Sequence, residues 1–226
     1  MKTRWERELA LGQPGGSPRA TAGFGRGDAL GIVLANLAVL GLTLWQGLPA
    51  ACLVWPYWCQ SAVIGLFHHR RILALQRFST EGFTSNGKPV PVTEQAKRET
   101  ALFFALHYGF FHFMFLLFLA ALAWPAAADW KWIGLGALGF GASQALTQRA
   151  RLAADAAAVP NLGAMLFLPY VRVLPIALSI GLIGYLHESG GAVLLFGLLK
   201  TGADVLGAAW ESSLTRRGKD AQDGPT

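Results

Sequence analysis

Seven side chains that could bind a ligand stand inside long apolar stretches of the sequence. They are Gln60, His107, Tyr108, His112, Arg172, Lys200 and Asp204. Polar and charged groups are costly within hydrocarbon, so in membrane helices they are rare and usually face the interior of a bundle. We therefore treat these seven as candidate ligand-binding residues, and the sequence predicts no catalytic residue.

The charged candidates allow more than one interpretation. Lys200 and Asp204 are four residues apart, so on a helix they share a face and can form an ion pair. Arg172 is then an unbalanced positive charge. In the first interpretation, Asp204 accepts hydrogen bonds from both Lys200 and Arg172 and so joins two helices. In the second, the residual positive charge attracts an anion such as a carboxylate, a phosphate or a quinone-type oxygen. The fixed set of N–H donors on arginine suits such a ligand. A proton or ion path is the third possibility.

The spacing of the two histidines argues against a strong metal motif. Tyr108 and His112 are four residues apart and share a helix face, whereas His107 and His112 are five apart and diverge by about 140°. A zinc-type histidine pair would stand four apart. A hydrogen-bonded core histidine and a metal or haem ligand both remain open for His107 and His112. No cofactor is required by the sequence.

The composition indicates the environment that holds these groups. The chain of 226 residues is 53% hydrophobic and only 14% charged, whereas soluble domains have about 25% charged residues. This low fraction of charged residues predicts an integral membrane protein, and the lipid bilayer is therefore an expected partner. The net charge of +6 could suggest nucleic acid. The positive residues lie mostly in predicted loops on one side of the membrane, as the orientation of a membrane protein requires. We therefore expect no nucleic-acid partner.

The lengths of the apolar runs predict an all-α polytopic membrane protein. A helix needs about 20 apolar residues to cross a hydrocarbon core of about 30 Å. Six transmembrane helices are predicted within a membrane domain of residues 28–212, at about 29–47, 50–70, 98–124, 130–149, 161–186 and 190–212. Residues 1–27 are predicted to be a polar tail and residues 213–226 a charged tail. Thr93 and Asp129 are predicted to start helices 3 and 4.

The distribution of basic residues predicts the orientation. Of the 19 lysines and arginines, Lys131 falls in a predicted outer loop, Arg172 and Lys200 fall within helices, and the others lie on one side. Positive residues collect on the cytoplasmic side of membrane proteins. Both termini are therefore predicted to be cytoplasmic.

Depth along the predicted helices suggests a single polar layer. At about 1.5 Å per residue, Gln60, His112, Arg172 and the Lys200–Asp204 pair lie within about two helical turns of the midplane. This predicts a ligand site between helices 3, 5 and 6.

Several short motifs carry a resemblance to known proteins. They are Tyr57-Trp58, His107-Tyr108-Gly109, Arg172-x-x-Pro175 and Lys200-x-x-x-Asp204. The chain resembles a family of uncharacterised bacterial multi-pass membrane proteins, a domain of unknown function. This resemblance implies a location in a bacterial inner membrane. Gln60 and Ala177 stand near positions where that family has an acidic and a further polar residue. The resemblance therefore implies membership without implying shared metal or proton chemistry, and the family carries no established activity.

The expected function is binding or transport of a small ligand, anionic or lipid-like, at the polar layer. A haem- or metal-binding redox membrane protein is the first alternative. The second is a non-catalytic accessory subunit that meets a membrane-protein partner through helix 4, which is rich in glycine. An intramembrane serine protease is disfavoured, because Ala145 stands where the motif around Ser143 needs glycine and His187 falls at the outer end of helix 5.

Overall fold

The computed structural model describes residues 26–175, 177–178 and 190–223. Six helices are assigned there, namely α1 (Arg26–Trp45), α2 (Ala51–Ala74), α3 (Glu94–Leu122), α4 (Trp130–Ala156), α5 (Leu162–Phe167) and α6 (Gly190–Asp223). The chain is also helical over 170–175, and β1 (Thr84–Ser85) and β2 (Lys88–Pro89) form one antiparallel hairpin. Most of the predicted N-terminal tail, through residue 25, and the predicted end of helix 5 lie outside the described residues.

The helical class is confirmed, and two helices have the length and apolarity needed to cross a membrane. They are Glu94–Leu122 and Val193–Leu214. The apolar helices Ala29–Trp45 and Leu162–Pro175 are shorter. The finding therefore supports a mostly helical chain with two candidate membrane spans, a coarser statement than the six spans that the sequence predicts.

The helix ends agree with the sequence in some places and differ in others. Thr93 precedes α3, and its hydroxyl accepts a hydrogen bond from the Ala96 amide at 3.2 Å, as expected of a cap. Asp129 precedes α4 without capping it, since its carboxylate instead accepts from the Ala126 amide. The predicted fifth helix is interrupted after Phe167, before Pro169, whose ring and missing N–H disfavour a continuous helix.

Three helices continue beyond their predicted ends. α2 extends past residue 70, α4 extends past residue 149, and α6 extends past residue 212 into the predicted charged tail. The extended part of α4 carries Arg151 and Asp155, which form ion pairs with Glu211 of α6 and Arg71 of α2 respectively. Those contacts hold the extensions in place, and no single helix sequence reveals them.

α2 is the central helix of the core. It packs against α3 and α4, whereas α1 packs chiefly against α6. One buried cluster joins Ile72 to Phe104 and Leu162, and the other joins Val54 and Tyr57 to Phe196. The polar residues discussed below lie mainly between these helices and so owe their positions to this packing.

Candidate functional site

The candidate residues make their hydrogen bonds and ion pairs in separate groups. The first group lies between α1 and α6. Lys200 Nζ donates to Asp204 Oδ2 at 2.6 Å and to Asn36 Oδ1 at 3.0 Å. Asn36 Nδ2 donates to the same Asp204 oxygen at 3.0 Å. The predicted Lys200–Asp204 ion pair is therefore present, with Asn36 as a third member that ties the two helices together.

Aromatic rings complete the surroundings of Lys200. Its ammonium lies 5.0 Å from the ring centroid of Tyr57 and 5.2 Å from that of Phe140. Both distances are within the range of a cation–π interaction. The positive charge therefore has partners on four helices, because Tyr57 belongs to α2, Phe140 to α4 and Asn36 to α1.

A cavity of about 310 Å³ adjoins this group between α1, α2, α4 and α6. Its walls are mainly apolar and include Val39, Leu40, Leu53, Leu135, Phe140 and Phe196. Asn36 and Lys200 are among the few polar groups that line it. The volume is at the lower end of the range for small-molecule sites, which are typically apolar with a few placed polar groups.

The second group is buried between α2 and α3. His112 Nε2 lies 2.8 Å from the Ser61 hydroxyl, and His112 Nδ1 lies 3.0 Å from the Tyr108 carbonyl oxygen. The Tyr108 hydroxyl donates to the Ser61 carbonyl oxygen at 2.9 Å. Both ring nitrogens of His112 are engaged within the protein, so this group acts as a hydrogen-bonded junction between two helices.

His107 and Gln60 stand apart from these groups. The exposed His107 ring contacts the hydroxyl of Tyr170 through Nδ1 at 2.7 Å. No hydrogen bond or ring contact joins it to His112 in the described part of the chain, in agreement with the spacing of five residues. Gln60 is buried, and its side-chain oxygen has no hydrogen-bond partner among the described residues.

Arg172 belongs to a third group, with charged residues from the ends of other helices. Arg172 Nη2 lies 3.8 Å from Glu211 Oε2, and Glu211 Oε1 is 2.6 Å from Arg71 Nη1 and 3.5 Å from Arg151 Nε. The interpretation in which Asp204 accepts from both cations is wrong, because the ion-pair partner of Arg172 is Glu211. The interruption before Pro169 places Arg172 beside helix ends.

Sequence reasoning missed four members of these groups. Ser61 gave no signal, because a single serine is common in an apolar helix. Arg71 and Arg151 were counted only among the basic residues of the predicted cytoplasmic side, and Glu211 was not singled out. Their shared position, close to the predicted ends at 70, 149 and 212, was the available signal that they could meet.

Metal ligation has limited geometric support. Across 26–175, 177–178 and 190–223, no group of three or more His, Cys, Asp or Glu side chains is arranged to hold a metal ion. Cys52 and Cys59 are free thiols.

Fold and site together define a mostly helical protein with two candidate membrane spans and polar groups buried between its helices. The chain belongs to a family of unknown function, DUF6498, whose model matches residues 21–221. The predicted membership of an uncharacterised family is thereby confirmed. No curated protein matches the chain. No solved structure matches it either.

Proposed function

We propose that this protein is an integral membrane protein that binds a small lipid-like ligand in the cavity between α1, α2, α4 and α6. The observation that carries the proposal is the combination of apolar walls with Lys200 and Asn36 at one side of a volume of about 310 Å³. A molecule that is mostly hydrocarbon and bears one hydrogen-bonding group suits such a cavity.

Exposed apolar surface supports the membrane location. Leu106 and Phe110 on α3 are 66% and 59% exposed, and Leu138 and Leu146 on α4 are 73% and 81% exposed. Large exposed apolar surfaces mark contact with a membrane or with another protein. Hydrocarbon would cover these side chains at no free-energy penalty.

The positions of the tryptophans and the arginines support the six-span topology that belongs to this proposal. Trp55, Trp124 and Trp130 meet through ring contacts with centroid distances between 5.7 and 6.0 Å. Trp55 lies in the first turns of α2, Trp124 lies just after the end of α3, and Trp130 begins α4. The charged groups around Arg71 lie towards the other ends of α2 and α4. Aromatic residues favour membrane interfaces and cations the cytoplasmic side, so both termini would be cytoplasmic, in a bacterial inner membrane.

The charge balance of Lys200 and Asp204 indicates whether the polar end of the ligand is charged or neutral. Asp204 compensates the charge of Lys200, with Nζ and Oδ2 2.6 Å apart. An anionic ligand would have to compete with this internal carboxylate, whereas a neutral carbonyl or hydroxyl can share hydrogen bonds with Asn36 and Lys200. A neutral head group on an apolar body is therefore the preferred chemistry.

A matched pair of variants tests the cavity. Leu135→Trp and Leu138→Trp make the same change on α4, but only Leu135 lines the cavity. Binding of parinaric acid methyl ester to protein in nanodiscs can be followed by energy transfer from tryptophan, and binding of parinaric acid itself reports the effect of head-group charge. We expect Leu135→Trp to abolish saturable ester binding and Leu138→Trp to preserve it. Equal binding by both variants would refute the proposal.

A second candidate function is that of an accessory subunit in a membrane complex. Four glycines make α4 suitable for close helix contact, and Gly136 packs against Pro56. A Cβ added to Gly134, Gly139 or Gly141 would meet nothing within 4 Å among the described residues. This open surface could receive a helix from a partner. A protein that co-purifies in fixed stoichiometry and is lost in Gly139→Leu would favour this function, and a monomer that binds the ester would count against it.

A further inference from the structure

We propose that Arg151 and Arg172 form a phosphate-binding site over a second, smaller cavity, between the ends of α2, α4 and α6. This site is separate from the lipid-like ligand cavity and does not depend on it. The bound group is the phosphate of either a free anion or a phospholipid head group, because the two sources offer the same oxygens to arginine.

The smaller cavity is lined by charged and polar side chains from several segments. Arg71, Gln148, Arg151, Arg172 and Glu211 all contribute to its walls. Its volume of about 20 Å³ has room for about one water-sized group. A phosphate would therefore place one oxygen inside and leave its remaining atoms at the mouth.

The charges around this cavity do not cancel. All three guanidinium nitrogens of Arg71 donate to carboxylates. They bind both oxygens of Asp155 at 2.8 and 2.9 Å and one oxygen of Glu211 at 2.6 Å. Asp155 and Glu211 together balance two of the three arginines. The residual positive charge lies with Arg151 and Arg172. His68 also lines the cavity, but its Nε2 is occupied by the Met165 carbonyl oxygen at 2.7 Å.

The guanidinium of Arg172 has N–H groups that find no hydrogen-bond acceptor in the described part of the chain. There it makes one ion-pair contact, at 3.8 Å from Glu211, although its side chain is only 14% exposed. That distance is too long for a hydrogen bond. Arg151, by comparison, donates to Gln144 Oε1 at 2.8 Å. Buried donors are normally satisfied. Among the described residues, no side chain or carbonyl group accepts a hydrogen bond from the Arg172 guanidinium, which indicates an acceptor from a bound ligand.

Gln148 provides an independent observation at the same place. It lines the cavity and is buried, and its side-chain oxygen has no hydrogen-bond partner among the described residues. A ligand that suits these groups would offer acceptors to arginine and a donor to an amide oxygen. Hydrogen phosphate has both. A phosphatidylglycerol head group also has both, through its phosphodiester and its glycerol hydroxyls.

The chemistry of arginine fits this assignment. A guanidinium presents several N–H donors in a plane and binds phosphate through paired, charge-assisted hydrogen bonds. The position fits as well, since Arg71, Arg151 and Glu211 lie close to the predicted cytoplasmic ends of three helices. Phospholipid head groups are present at that level.

Two measurements on the full chain distinguish the two sources. The first follows the melting temperature of the detergent-purified protein during titration with sodium phosphate, against sodium chloride at equal ionic strength. The second uses native mass spectrometry after release from nanodiscs that contain equal amounts of phosphatidylglycerol and phosphatidylcholine. A phosphate-specific rise in melting temperature indicates the free anion, and selective retention of phosphatidylglycerol indicates the lipid.

Three variants make the test specific to the cavity. Arg172→Gln removes the free donors, and Gln148→Glu adds a carboxylate that competes for Arg172. Each should weaken phosphate binding or phosphatidylglycerol retention about tenfold or more, as expected for lost hydrogen bonds to a charged group. Arg149→Gln is the matched control, because Arg149 is exposed on α4 outside the cavity, and it should leave binding unchanged.

The outcomes that overturn the proposal are distinct. Wild-type protein that responds to neither probe has no such site, and equal losses in Arg149→Gln and Arg172→Gln would show diffuse attraction by surface charge only. If Arg172→Gln does not fold, Gln148→Glu decides the question. Leu135→Trp should retain the phosphate response, so failure of the lipid-like ligand cavity would leave this site unaffected.

Discussion

Tyr57 lies beneath Lys200, with the ammonium 5.0 Å from the centroid of the aromatic ring. The hydroxyl of the same tyrosine donates a hydrogen bond to the backbone carbonyl of Arg172. Tyr57 is also one of the most buried large side chains of the described core. One residue of α2 therefore joins the polar group of the lipid-like ligand cavity to the segment that carries the proposed phosphate site.

Substitution can separate the two contacts of Tyr57, namely the ring contact with Lys200 and the hydrogen bond from its hydroxyl to the Arg172 carbonyl. Tyr57→Phe keeps the ring under Lys200 but leaves the Arg172 carbonyl without its donor, which should lower the free energy of unfolding by about 1 kcal/mol. Tyr57→Leu also removes the ring contacts with Lys200 and Phe196, and we expect a loss of about 3 kcal/mol. Denaturant unfolding in mild detergent measures both. Equal losses in the two variants would contradict a role for the ring.

For the Lys200–Asp204 pair, removal of one charge should destabilise the protein more than removal of both. Lys200→Met leaves Asp204 without its cation and should destabilise the protein by about 3 kcal/mol or more. The double variant Lys200→Met/Asp204→Asn removes both charges and should recover much of that loss. A thermodynamic double-mutant cycle measures the coupling. A double variant that is as unstable as the sum of the single variants would show that the two groups act independently.

Part of this arrangement could be predicted because it depends on local spacing. Helices follow from apolar runs, the Lys200–Asp204 pair from an interval of four residues, and the cap at Thr93 from a polar residue before a helix. Each of these needs information from one segment only. The confirmed predictions are therefore those in which neighbouring positions in the sequence determine the contact.

The remainder depends on how separate segments meet. Glu211 joins Arg71 and Arg172 only because α2, α6 and the segment after α5 converge, and a helical pattern contains no such information. Ser61 becomes a partner of His112 only through the packing of α2 against α3. The ion pair of Arg172 with Glu211 could not be predicted for the same reason, since the interruption before Pro169 changes the path of the chain after it.

Two glycines on neighbouring helices should respond oppositely to the same substitution. A Cβ at Gly65 would overlap the ring of Tyr108, whereas a Cβ at Gly139 would meet nothing within 4 Å. Gly65→Ala should therefore destabilise the protein by about 1–3 kcal/mol through overpacking. Gly139→Ala should stabilise α4 by up to about 1 kcal/mol, because alanine favours helix. Thermal unfolding of the two variants under identical detergent conditions provides the comparison. Stabilisation by Gly65→Ala would contradict the packing of α2 against α3, and destabilisation by Gly139→Ala would contradict the open surface at Gly139.

The six-span topology predicts opposite accessibility for two exposed positions. Lys131 stands at the start of α4 and Arg216 near the end of α6, and both are exposed. In intact bacterial cells whose outer membrane has been permeabilised, a membrane-impermeant maleimide should label Lys131→Cys at once. It should label Arg216→Cys only after the inner membrane is also opened. The unsubstituted chain serves as the control for Cys52 and Cys59, which should react little because Cys52 is buried and Cys59 is partly buried. Labelling of both introduced cysteines in intact cells would place the end of α6 on the outer side and would exclude the proposed orientation.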